Sequence, residues 1–158
     1  MFLRIAQWAL VAAVLVQFIP FGHSHINPPV TGEPAWASPE TRLLFRRACF
    51  DCHSNDTVWP WYSHVAPVSW LLQRDVYGGR RHLNFTEWNR PQQHAKDVAA
   101  EIKKGDMPPW VYLPMHPTAR PSSAEKQAAM DGAQKSFGPQ TTYEPLSQAS
   151  FASGRDGH

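Results

Sequence analysis

The stretch Ala48-Cys49-Phe50-Asp51-Cys52-His53 holds both cysteines of a 158-residue chain, and a histidine directly follows the second. Cysteines this close in sequence cannot staple a useful loop as a disulfide. A thioredoxin-like dithiol needs a strand ahead of it and a βαβ setting; here a helical pattern precedes the motif and no strand pattern follows. A closed zinc site needs four ligands, and neither a second cysteine pair nor a spaced histidine pair lies downstream. Idle thiols are a third reading. A fourth, attachment of a c-type haem, uses every residue. Each thiol adds to one porphyrin vinyl group, the two intervening residues set the sulfurs at the right reach on a helical turn, and His53 lies under the iron as proximal ligand.

The N-terminus supports the fourth reading. Arg4 is the only charge ahead of an apolar run from Ile5 to Phe21, broken by Gln7 and Gln17. This reads as an export signal with its start held in the cytoplasm. Haem attachment takes place on the exported side of the membrane. Residues 1–22 are expected to be a retained inner-membrane anchor, at the lower length limit for a span. The alternative is a signal peptide cut near Gly22-His23-Ser24, which leaves a soluble periplasmic protein. Residues 23–37, rich in Pro, Gly and His, read as a linker, with His23 and His25 as spacers rather than metal ligands. Residues 139–158 have no sustained apolar period and read as a disordered tail. The net charge is +2, and the basic residues fall in scattered pairs such as Arg46-Arg47 and Arg80-Arg81. That pattern excludes a nucleic-acid stripe.

Between 38 and 138 four helices are expected. Ser38-Pro39-Glu40 is an N-cap with a first-turn proline and acid, and the helix it starts runs directly into Cys49. A second follows Pro67, with Val68, Leu71, Leu72 and Val76 on one face and Gly78-Gly79 as its end. A third follows Pro91, with Ala95, Val98, Ala99 and Ile102 inward and Gly105 as its stop. A fourth opens on the capping box Ser122-Ser123-Ala124-Glu125 and ends at Phe137. The fold class is all-α: a small helical domain around one haem, preceded by an apolar helix. Its alanine-rich stripes make a marginal core. A flat apolar cofactor wrapped by Trp59, Trp61, Tyr62 and Trp70 would fill the middle.

The strings NPPV, ACFDCHSNDTVWPWYSHVAPVSWLL, LNFTEWNRP and KGDMPPW followed by HP resemble the small haem-binding domain family of bacterial c-type cytochromes. The resemblance runs from about Asn27 to Gly138. It implies a class I cytochrome-like helical fold, one covalent haem c and usually a membrane anchor. It does not fix a redox partner.

For the sixth ligand, the proline-pinned loop 105–121 offers Met107, Met115 and His116. Met130 reads as core, His82 and His94 as surface, and His64 as too near His53 to reach the far face. Met107 is favoured, because Gly105 stops the helix before it and Pro108-Pro109 stiffen the chain behind it. Class I cytochromes present methionine in such a loop. Trp59 and Trp61 are expected against the haem edge or in ordinary packing, and Arg74, Arg80, Asn84 and Trp88 are candidates for the propionates. The free N–H of His53 should go to a backbone carbonyl, with Pro60 or Pro67 as its owner. A His53/Met107 pair closes the iron and makes an electron carrier. An open or displaceable sixth position would instead suit a peroxidase-like enzyme or a sensor of small gases.

Overall fold

A computed structural model describes residues 1–138. The tail expected to be disordered, 139–158, lies outside the described residues. Helix α1 (Phe2–Leu15) passes into a 3-10 turn at Val16–Phe18. Helices α2 (Pro39–Ala48), α3 (Phe50–His53), α4 (Val68–His82), α5 (Val98–Lys104) and α6 (Ser123–Phe137) make the domain. Among the described residues there is no strand, only an isolated bridge between Gly32 and Glu87. The all-helical expectation holds.

The local signals act as their chemistry dictates. Ser38 Oγ accepts the Thr41 N–H at 3.1 Å and caps α2. Ser122 and Glu125 form the complete capping box of α6. Gly105, at φ +86°, ends α5 in the left-handed conformation that glycine adopts without a steric cost.

Three expectations change. First, α2 stops at Ala48, and the cysteine motif forms its own helical turn after a break at Cys49 (φ −127°, ψ −30°). Second, α4 does not end at Gly78-Gly79 but runs on to His82, and it buries Ser69, Val76 and Arg80 while Val68 and Leu71 stay exposed. Gly79 is the point where α3 lies against α4: a Cβ there would overlap the carbonyl oxygen of Cys52. Third, α1 is only 14 residues long. At about 1.5 Å per residue it reaches roughly 21 Å, against a hydrocarbon thickness of about 30 Å. No helix of the described residues is long and apolar enough to cross a membrane, so the expected membrane-spanning anchor helix is not supported. Gln17 interrupts the run because its side chain docks on the domain. Its Nε2 donates to Ala66 O at 3.1 Å, and its Oε1 accepts the Ala66 N–H at 3.0 Å.

The centre of the domain is aromatic rather than alanine-lined. Phe45, Phe50, Phe85 and Phe137 are buried, with Trp36 and Trp88 packed against them. Phe45 meets Phe137 edge-on at 5.5 Å, and Phe50 stacks on Phe85 at 5.8 Å, both favoured ring arrangements. The protein's own rings therefore fill the centre of the domain. Residues 22–37 form no helix, but they are tied down along their length. Gly22 (φ +83°) is buried against Ser69 and Trp70, Ser24 N donates to Gln73 Oε1, and Trp36 enters the core.

Candidate functional site

Cys49 and Cys52 are both free thiols. Burial pushes each thiol up to about 12, with Cys52 adding to the effect on Cys49, and Asp51 and Asp75 to that on Cys52. Among the described residues no group of three or more His, Cys, Asp or Glu side chains could hold a metal ion. The zinc reading therefore lacks its further ligands, and the dithiol reading lacks its strand.

The His53 ring is fixed from behind. Its Nδ1 lies 3.1 Å from both Gly79 O and Leu83 O, so Nδ1 carries the proton and Nε2 keeps the lone pair. A backbone carbonyl was the expected partner, but Pro60 and Pro67 are not its owners. The longer α4 brings the carbonyls of its own last turn to the ring. Burial lowers the pKa of His53, the two carbonyl bonds act in the opposite direction, and His82 lowers it slightly further. The imidazole is thus held in the neutral form that ligates metals.

A buried polar web, which single-residue reading missed, holds the motif. Phe85 N donates to His53 O at 2.8 Å, and Asn55 N donates to Thr86 Oγ1 at 2.7 Å. Asn84 Nδ2 donates to Asn55 Oδ1, and Asn55 Nδ2 donates to Pro29 O. Arg80 donates to Ser54 O, Ile26 O, Asn27 Oδ1 and Thr57 Oγ1, each at 2.8 Å. These bonds occupy Arg80 and Asn84, which corrects their candidacy for propionates. Trp88 is stacked on Phe85. Arg74 is exposed. The sequence signal for the web was present in the strings NPPV, HSND and LNFTEW, whose residues meet here.

Met107 and Cys49 line one small, mostly apolar cleft with Phe45, Ile102 and Pro108, and Arg47, Glu125 and Lys126 also line it. The structure thus brings Cys49 and Met107, the residue favoured in sequence as sixth ligand, to the same recess. Met115 is exposed, and Met130 packs against the core. His116 has both ring nitrogens engaged: Nδ1 with Tyr112 O at 3.0 Å and Nε2 with the Tyr62 hydroxyl at 3.3 Å. His64 is exposed and lies edge-on to His25, and His82 lies edge-on to His94. Trp59 donates Nε1 to Asn27 Oδ1 at 3.2 Å and lies over His25, while Trp61 is 75% exposed.

A helical domain with a pinned, neutral histidine behind two free thiols and a methionine in the adjoining cleft has the elements of a haem-binding protein. The chain belongs to the haem-binding domain family, whose model matches residues 11–135. Neither a curated protein nor a solved structure matched the chain. The residues fit the group this family binds. His53 Nε2 would be the atom that meets iron, Cys49 and Cys52 precede it by four and one positions, and apolar side chains on the segments beside the motif, Val58, Trp61, Val111 and Met115 among them, stand exposed where a flat apolar ring could lie against them.

Proposed function

We propose that the chain is an exported c-type cytochrome that carries electrons with one covalent haem. Cys49 and Cys52 form the thioethers, His53 is the proximal ligand and Met107 the distal one. Bound there, the haem supplies a one-electron redox centre, and the chain holds and shields it. The observation that carries this reading is the shared cleft of Cys49 and Met107, together with the Nδ1 bonds that leave His53 Nε2 for iron. His116 would have to give up a hydrogen bond to ligate, which favours the thioether. A His/Met pair leaves no open position for peroxidase chemistry or gas binding.

Attachment is tested by expression with cytochrome c maturation machinery. The wild-type chain is expected to keep haem staining on a denaturing gel, and Cys49→Ala with Cys52→Ala to lose it; staining that persists in the double variant refutes the thioethers. For location, the proposal is the periplasmic side of a bacterial inner membrane, with α1 as an export leader and a redox protein as partner. Fractionation with N-terminal sequencing shows whether α1 is removed. Haem-loaded protein confined to the cytoplasm would refute export.

A further inference from the structure

Asp51 is the second intervening residue of the cysteine motif, and its carboxylate holds two other segments. Oδ1 accepts the Val58 N–H at 3.1 Å, and Oδ2 accepts the Tyr112 hydroxyl at 2.6 Å. Tyr112 stands five positions after Met107 in the loop between α5 and α6. That loop is stiffened from within by Tyr112 N to Pro109 O (3.0 Å), His116 N to Leu113 O (3.2 Å) and Ala119 N to His116 O (2.9 Å). These bonds are all local, so they fix the loop's shape and not its position over the motif. The Tyr112 ring stacks on His116 with centroids 3.8 Å apart and planes 9° apart. His116 Nε2 in turn meets Tyr62 OH. A stiff loop joined to the motif by a charged hydrogen bond is placed as one body.

We propose that Tyr112 is a positioning residue: its bond to Asp51 clasps the ligand loop to the haem-attachment turn and so sets the Met107 thioether over the iron. The inference rests on the reading of Met107 as sixth ligand. A thioether binds iron weakly, so small changes in loop placement govern how often it leaves.

The test uses full-length holoprotein. Wild type, Tyr112→Phe, Asp51→Asn and Met107→Ala are compared by the far-red sulfur-to-iron band of the ferric form and by carbon monoxide binding to the ferrous form. Met107→Ala is expected to lose the band and bind the gas at once. Tyr112→Phe and Asp51→Asn are expected to keep covalent haem and the band, but to bind the gas about tenfold faster than wild type, as does their double variant. A double variant no faster than either single one marks the two groups as one clasp. If Met107→Ala keeps the wild-type band and the wild-type rate of gas binding, the ligand reading fails. If Met107→Ala behaves as expected but Tyr112→Phe binds the gas at the wild-type rate, that reading stands and the clasp is refuted. Asp51→Asn reads the same bond should Tyr112→Phe fail to fold.

Discussion

Gly79 and Cys52 touch backbone to backbone: a Cβ on Gly79 would lie 3.0 Å from the carbonyl carbon of Cys52 and 3.2 Å from its Cβ. The contact is what lets the end of α4 reach the motif and present its carbonyls to His53.

Gly79→Ala is therefore expected to cost about 1–3 kcal/mol through overpacking and to disturb the His53 ring, seen as a changed low-spin spectrum of the holoprotein. Its neighbour provides the control. A Cβ on Gly78 meets nothing within 4 Å, so Gly78→Ala should stabilise the helix by about 0.5–1 kcal/mol. Denaturant midpoints of the two variants that move in the same direction would contradict this account.

Arg80 is buried and bonded only to neutral acceptors, and burial lowers its pKa. Arg80→Leu removes the guanidinium donors to Ser54 O, Ile26 O and Thr57 Oγ1 and one of the two donors to Asn27 Oδ1, a loss expected at roughly 3 kcal/mol. Arg80→Lys should recover little of it, because an ammonium cannot reproduce the guanidinium fork. Urea unfolding of the three chains measures both, and full rescue by lysine would show that charge alone matters.

Glu33 takes two bonds from Arg42, each at 2.6 Å, and one from Trp36 Nε1 at 2.8 Å. The Arg42 bonds hold its carboxyl below the ordinary value of 4.5, against the opposing effect of partial burial. A carboxyl with a depressed folded pKa stabilises the fold above its unfolded pKa, and that stability is lost as pH falls through the folded value. Stability should therefore decline below about pH 4.5, and Glu33→Gln should remove that part of the slope while costing about 1 kcal/mol at neutral pH. An unchanged slope in the variant would assign the acid sensitivity elsewhere.

On the proposed Met107 ligation, Met107→His is expected to give a low-spin spectrum at a lower potential than wild type, since a soft thioether favours ferrous iron. Met115→Ala, at an exposed position, should leave both spectrum and potential unchanged. A redox titration of the two variants and wild type reads this directly.

What the sequence disclosed follows from how local each signal is. Ser38, Gly105 and the Ser122–Glu125 box act on backbone groups within a few residues, so their chemistry reads straight from the chain. Gly79 reads in sequence as a helix stop, because glycine serves both as a terminator and as a place of close approach. Only the arrival of Cys52, 27 positions away in sequence, separates the two uses. The carbonyl owner for His53 failed for the same reason. Trp59, Trp61, Tyr62 and Trp70 drew attention by their density, yet Trp36, Phe45, Phe50, Phe85 and Phe137 form the centre, since spacing alone does not say which ring faces inward. Asn55, Asn84 and Thr86 look like ordinary loop residues one at a time, and their joint purpose shows only when His53 and Phe85 are placed side by side. Haem binding was legible from the motif itself.

If the N-terminus is cut as the proposed export allows, the hold of Arg80 on Ile26 and Asn27 sets a limit on where. A protease that cuts near Ser24 leaves both acceptors in the mature chain and trims only what lies upstream. A cut a few bonds later would remove them and leave a buried cation facing an opened flank. Under the proposed export, the position at which a cleaved chain could begin is thus bounded from within its own interior, by an arginine more than fifty residues downstream of the cut.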